Sequence, residues 1–272
     1  MDNHVTIHHE ATLFAEPIFN WGSFFVTNSL LNSFVATIFL VFFFWLVARK
    51  AKSVPRGLQS FFEIVLEGVL SFFDSITNSR KKSERFLPLV LGLFLFILVN
   101  NYLGLIPGVG TVGFIENHNG ESIFVPLMRG ATADLNTTLA LGLVSIIIVH
   151  VVGVWSVGWW AHLNKFINFK TILEIPRKFT KEPSILLVNP IKFFVGIIEI
   201  VSELAKVASL SFRLFGNIFA GEVLLASMMA MMAFFLPIPF IFLEVLVGVI
   251  QALVFAILIL VFLTMSTTAE EH

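Results

Sequence analysis

The sequence predicts an all-α polytopic membrane protein with five membrane-embedded helices and one interfacial amphipathic helix, the last two spans being long and tilted. Three observations predict this class. Hydrophobic residues make up 57% of the 272-residue chain and charged residues only 13%, where a soluble domain carries about 25% charged residues. The apolar residues are gathered into runs of about 20, the length a helix needs to cross a hydrocarbon core of roughly 30 Å. Phenylalanine supplies 32 residues and tyrosine one, a balance suited to an exterior that faces lipid.

The chain reads as a single membrane domain over 1–272. Residues 1–29 form an outer N-terminal segment, and MDNHVTIHHEATLFAEP lacks the basic start and small-residue cleavage site of a signal peptide. The first three spans are 30–48, 86–106 and 135–163, the third long enough to tilt or project. Between the first two, GLQSFFEIVLEGVLSFFDSIT (57–78) is too polar to span. Leu58, Phe61, Phe62, Val65, Leu66, Val69, Phe73 and Ile76 recur at helical spacing, with Glu63, Glu67 and Asp74 on a separate stripe. A helix lying in the cytoplasmic interface fits this pattern, and so does an ordinary surface-packed amphipathic helix.

The fourth span runs over 190–236 and the fifth over 239–268, with Pro237 and Pro239 supplying the break between them. As one helix at ~1.5 Å per residue, the fourth would extend about 70 Å. It therefore breaks, at Gly216 or Gly221, or lies strongly tilted. A tilted helix with a polar face needs a protein partner to cover it.

Basic residues set the orientation. Eight lie between Arg49 and Arg85 and five between Lys165 and Lys181, whereas the segment through Leu30 has none and 107–134 has only Arg129. This places the N-terminus outside and the C-terminus in the cytoplasm.

The fourth and fifth spans carry the candidate chemistry. A charge at the bilayer centre costs at least ~2.5–3.5 kcal/mol, yet the fourth contains Glu199, Glu203, Lys206, Arg213 and Glu222. At about 100° per residue the first four share one stripe, which Asn217 joins, and Glu222 falls on the opposite face from Arg213. The fifth span carries Glu244 and Gln251 seven residues apart, hence on one face. Carboxylates in low dielectric can carry or release a proton, while arginine remains a fixed positive charge. Such a set suits gated conduction of small cations, protons above all. Glu199, Glu203 and Lys206 also fit i,i+3 and i,i+4 pairs that neutralise one another. Arg213 and Glu222 have no such local partners.

The remaining features have plainer readings. His4, His8 and His9 belong to an exposed N-terminus rather than a metal site; His150 in the third span reads as a hydrogen-bonded packing residue, with a protonatable role as the alternative, and His162 lies at the inner end of that span. The four methionines between Met228 and Met232 read as adaptable apolar packing. Trp155, Trp159 and Trp160 suit an inner-interface belt. Zero cysteines exclude a disulfide framework and the usual zinc clusters. The net charge of -1 gives no case for nucleic acid. No nucleophile–base set points to self-contained catalysis, and no cofactor or metal is expected.

The stretch SLSFRLFGNIFAGE (209–222), with GIIEIVSELAK before it and LEVLVGVIQALVF after it, resembles the a subunits of F-type ATP synthases. The likeness continues in PRGLQSFFEIVLEGV, NNYLGLIPG, ATADLNTTLALG and the tail LTMSTTAEEH, covering essentially the whole chain. The resemblance implies a stationary, non-catalytic subunit with two offset aqueous half-channels, against which a ring of c subunits turns and which peripheral-stalk b subunits hold. It implies coupling of proton transport to ATP synthesis or hydrolysis in a bacterial inner membrane. By matching position, Arg213 is the arginine that faces the ring, Asn217 and Gln251 are its polar neighbours, and Glu222, Glu244 and Glu199 are proton-path carboxylates. Asp134 and Asn136 match polar positions at the outer end of the third span and Lys206 a basic position of open role; these three and Glu203 are candidate supporting residues. Some family members pair a histidine with a carboxylate where this chain has Glu244 and Glu222, so that His–Glu relay is absent here. Without the resemblance, an autonomous secondary transporter or a scaffold whose charges fix helix register would stand beside this reading; no internal inverted repeat favours the transporter.

Overall fold

The computed structural model describes residues 12–22, 24–49, 57–106, 108–118, 121–160, 162, 185–232 and 235–268. Helices α1 (Asn28–Arg49), α2 (Leu58–Thr77), α3 (Arg80–Leu105), α4 (Leu135–Val157), α5 (Ile185–Met231) and α6 (Pro237–Thr267) dominate them. All except α2 are long and apolar enough to cross a membrane. The expected basic cluster at 165–181 and the N-terminal histidines fall outside the described residues.

Two short antiparallel hairpins, which periodicity did not reveal, sit at one end of the bundle. They are β1 (Pro17–Trp21) with β2 (Phe24–Thr27), and β3 (Gly113–His118) with β4 (Glu121–Pro126). Asn28 joins them to the helices: its Nδ2 donates to the Pro126 carbonyl at 3.4 Å and its backbone N to the Glu16 carbonyl at 3.1 Å. This is the hairpin end. The opposite end, where α1 finishes at Arg49 and α3 begins at Arg80, is the basic end.

The core is built on α6, which packs against α3, α4 and α5. Ala252, Phe255, Ala256, Ile259, Leu260 and Leu263 are all at least 96% buried, and their alternating three- and one-residue steps trace a single helical stripe. Small residues let backbones close up. A Cβ on Gly142 of α4 would strike the Ser211 hydroxyl of α5 and approach the Val207 carbonyl at 3.3 Å. By contrast α1 buries only Asn28, Ser29, Asn32 and Ala36, and leaves Phe34, Ile38, Phe42 and Trp45 exposed. On a membrane-spanning helix that surface meets lipid or another apolar helix.

Several ranges differ from those read in the sequence. Helix α3 begins at Arg80 instead of residue 86, because RKKSER continues the helix outward from the apolar run and Pro88 is accommodated inside it. Helix α4 ends at Val157, where Gly158 turns to φ 95°. Helix α5 is unbroken from Ile185 to Met231, so neither Gly216 nor Gly221 interrupts it, and its 47 residues span about 70 Å. Helix α6 begins at Pro237, since proline fits the first helical turn, whose N–H groups lack partners anyway.

Helix α2 buries side chains in its second half, while Phe62 in its first half meets Phe43 of α1 edge-on at 5.9 Å. Phe73 and Leu70 are buried, while Phe61, Ile64 and Val65 are exposed. It turns into α3 through Asn78, whose φ of 53° is left-handed. Arg80 then clasps the two helices, reaching Glu67 at 2.7 Å, Asp74 at 3.2 Å and Glu84 at 3.1 Å.

Candidate functional site

From Glu199 onward, the charged residues of α5 fall into three groups along its length, and each group recruits different neighbours.

In the middle, Arg213 and Asn217 are exposed. They lie one turn apart, with exposed Phe212 beside them. The one hydrogen bond of the guanidinium among the described residues goes to Ser209 Oγ, at 3.1 Å. Arg213 and Gln251 of α6 line one narrow cleft, walled by Leu210, Leu214, Val254 and Phe255. Thus α5 presents a permanent cation outward on an apolar surface, with an amide on the neighbouring helix alongside it.

Nine residues further on, Glu222 turns to Arg129, the lone cation of the loop before α4 and not among the residues expected at the site. The Arg129 Nη2 donates to Glu222 Oε2 at 3.0 Å, and its Nε reaches Oε1 at 3.2 Å and Oε2 at 3.3 Å. Its Nη1 donates to Thr12 Oγ1 at 3.0 Å. Arg129 is 6% exposed and the Glu222 side chain 39%. They line a cavity of about 80 Å³ together with Thr12, Glu16, Gly130 and Ala226. The signal that could have found Arg129 was its position: a lone arginine just before the buried turn Ala131–Ala133 and the third span.

Glu244 of α6 comes to the same place from the other side. It is 4% exposed, and its carboxyl packs on the backbone of Gly221, the neighbour of Glu222. Its Oε1 is buried without a hydrogen-bond partner among the described residues. Nearby, Asn101 of α3 donates to the Gly248 carbonyl at 3.0 Å and accepts from Thr132 Oγ1 at 2.6 Å. The two glutamates that share a region are therefore unlike: one holds a guanidinium and one does not.

Ten residues before Arg213, toward the basic end, Glu203 accepts from Lys206 Nζ at 2.6 Å and lies 3.4 Å from His150 Nε2. The other nitrogen of His150 lies 3.2 Å from His162 Nε2. His150, His162 and Glu203 line a pocket of about 320 Å³ with Trp159, Ile200 and Leu204. The i,i+3 pairing expected of Glu203 and Lys206 is present, but the two histidines join it in a continuous polar contact. Glu199 is half-buried one turn before Glu203.

Asp134 and Asn136 occupy the start of α4. Asp134 caps that helix, accepting from the backbone of Asn136 and Thr137, each at 3.2 Å, and from Thr137 Oγ1 at 2.7 Å. It also accepts from the Ala15 backbone at 3.1 Å. The Asn136 side chain is exposed.

A polytopic helical protein with ionisable side chains grouped along its longest membrane helix belongs to the class that handles ions within the bilayer. The comparisons narrow that class. The model of the ATP synthase A chain family matches residues 30–264, and the chain belongs to that family. Relatives named ATP synthase subunit a include one from Syntrophobacter fumaroxidans, 32% identical over 88% of this chain and 84% of its own length. Another, from Moorella thermoacetica, is 31% identical over 90% of this chain and 93% of its own. A third, from Geobacter sulfurreducens, is 33% identical over 84% and 82%.

Proposed function

We propose that this chain is the stationary proton-translocating subunit of a rotary F-type ATP synthase. It offers two offset half-channels to a ring of c subunits, is held by peripheral-stalk b subunits, and couples proton flow to ATP synthesis or hydrolysis without catalysing either itself. In this reading the hairpin end faces outward and the basic end faces the cytoplasm of a bacterial inner membrane, with the N-terminus outside and the C-terminus inside.

The observation that carries the reading is Arg213. It is exposed on an apolar helix, bonded only to a serine hydroxyl among the described residues, and flanked by titratable groups toward both ends. A guanidinium cannot realistically lose its proton, and an unpaired charge in the bilayer is costly. It therefore calls for a counter-charge from a partner. A carboxylate on a rotating ring supplies one, but only after giving up its proton beside Arg213. Protons entering through Glu222 and Glu244 cannot reach Glu203 and Glu199 directly past that fixed charge. They cross by riding the ring, with Asn217 and Gln251 flanking the exchange. Lys206, Asp134 and Asn136 support the two routes.

The test is Arg213→Ala in the assembled complex. In membrane vesicles, ATP-driven proton pumping is expected to be lost. After removal of the soluble catalytic part, passive proton leak is expected to be retained or increased. Normal pumping with unchanged leak would sink the role given to Arg213 and return the transporter and scaffold readings.

A further inference from the structure

The hairpin-end group contains two carboxyls and one guanidinium, and the geometry distributes them unequally. Arg129 contacts both oxygens of Glu222, through three donor–acceptor pairs between 3.0 and 3.3 Å. Its remaining Nη1 contacts the Thr12 hydroxyl, and the Phe14 carbonyl at 3.5 Å, so its donors are directed to fixed acceptors. The guanidinium is almost fully buried, and Phe219 lies beneath it with the ring centroid 6.0 Å away. Stranding a buried cation is costly, even where its counter-ion is itself 39% exposed, as Glu222 is. Protonating Glu222 would do just that to Arg129, leaving a buried cation without its counter-ion.

Glu244 has no such bond. It is more buried than Glu222, it lies against the Gly221 backbone, and one of its oxygens has no hydrogen-bond partner among the described residues. The other groups around it are accounted for. Asn101 is engaged by Gly248 and Thr132, and Tyr102 Oη reaches the Val245 carbonyl at 3.5 Å. Glu16 lines the neighbouring cavity with Arg129 and Glu222.

We propose that Glu244 is the carboxyl that takes up and releases the proton in the hairpin-end route, and that Glu222 is a fixed counter-ion held by Arg129, which acts as a positioning residue. This rests on the proton-route reading above and divides the labour within it. The charges of Arg129 and Glu222 cancel, so the group as a whole alternates between neutral and one negative charge as Glu244 changes state. In the uptake step an O–H bond forms on a Glu244 carboxylate oxygen as a hydronium ion in the cavity gives up its proton and becomes water. In the release step that O–H bond breaks and the proton passes to a ring carboxylate. Glu222 lines the cavity as one half of the neutral pair with Arg129.

The test uses the assembled complex in membrane vesicles, with ATP-driven pumping read across a range of pH. Glu244→Gln is expected to lower pumping by about tenfold or more in a complex that still assembles. Arg129→Gln alone is expected to impair pumping and assembly, because it strands Glu222. Adding Glu222→Gln to it restores a neutral, hydrogen-bonding pair. That double variant is expected to recover assembly and to pump faster than Arg129→Gln alone, with the parental pH profile, because the exchanging group is intact. If the double variant loses pumping as Glu244→Gln does, Glu222 exchanges the proton itself and the proposal falls. Pumping by Glu244→Gln at the parental rate overturns it as well. Should Glu244→Gln fail to assemble, Glu244→Asp keeps a protonatable group: a shifted pH profile supports the proposal, and a parental profile overturns it. Arg213→Ala in the same vesicles separates the two levels, since normal pumping there would remove the route itself.

Discussion

The carboxyl of Glu244 lies so close to the backbone of Gly221 that a Cβ at position 221 would run into it. The two residues belong to different helices, so the missing side chain on α5 makes the space that the acid on α6 fills. At Gly216, one and a half turns earlier, a Cβ would meet nothing within 4 Å.

This contrast predicts opposite outcomes for two chemically identical changes. Alanine favours a helix over glycine by roughly 0.5–1 kcal/mol, so on propensity alone Gly216→Ala and Gly221→Ala would both help. Gly216→Ala is expected to be neutral or slightly stabilising if position 216 stays open in the complex. Gly221→Ala is expected to displace the flexible Glu244 carboxyl and lower proton pumping while the subunit still assembles. Membrane content of the subunit and ATP-driven pumping, measured side by side, check this. Equal pumping by both variants would show that the Glu244 position is not critical.

Asp134 is predicted to matter as a cap. Its carboxylate is occupied by two α4 backbone N–H groups, the Thr137 hydroxyl and the Ala15 N–H. Asp134→Ala is expected to cost about 0.5–2 kcal/mol, read as a lower unfolding midpoint in detergent. Asp134→Asn keeps one of the two accepting oxygens, so it should lose less stability than the alanine variant and retain pumping. Loss of pumping in a stable Asn variant would instead mark Asp134 as a proton-exchanging group.

The membrane class, the run of spans and the unusual fourth helix were legible because each depends on local apolar content and length. The opposed directions of Arg213 and Glu222 were legible too, since they follow from nine residues at about 100° each. Partners were not. Arg129 meets Glu222 across 93 positions of sequence, and no periodicity encodes such a contact. His150 looked like packing because it is one polar residue in an apolar run. Only the fold brings His162 and Glu203 to its two ring nitrogens. The short hairpins escaped for a different reason: strands of four to six residues offer too few alternations to separate them from loop.

The Glu203–Lys206 contact at 2.6 Å predicts strong coupling between two side chains that are 16% and 22% exposed. An exposed pair is worth about 0–1 kcal/mol, whereas stranding one member of a fully buried pair costs about 3–5 kcal/mol. These residues lie between the extremes. Lys206→Met is expected to lower the unfolding midpoint more than the double change Lys206→Met with Glu203→Gln, because the double change strands no carboxylate. A thermal double-mutant cycle in detergent checks it. Additive effects would show the contact to be energetically idle.

The two cavities are predicted to open to opposite sides of the membrane. The chain has no cysteine, so one introduced thiol is a unique chemical probe. Leu204 lines the pocket of about 320 Å³ toward the basic end, and Ala226 lines the cavity of about 80 Å³ toward the hairpin end. A thiolate reacts only where water and reagent can reach it. In sealed vesicles of known orientation, Leu204→Cys is expected to react with a membrane-impermeant thiol reagent added on the cytoplasmic side and Ala226→Cys with the same reagent on the outer side. Each should be protected from the opposite side. Labelling of both from one side would overturn the two-route arrangement, because both cavities would then open to one compartment and the ring would have no separate exit. Reversed sidedness would keep two routes but invert the orientation inferred from the basic residues.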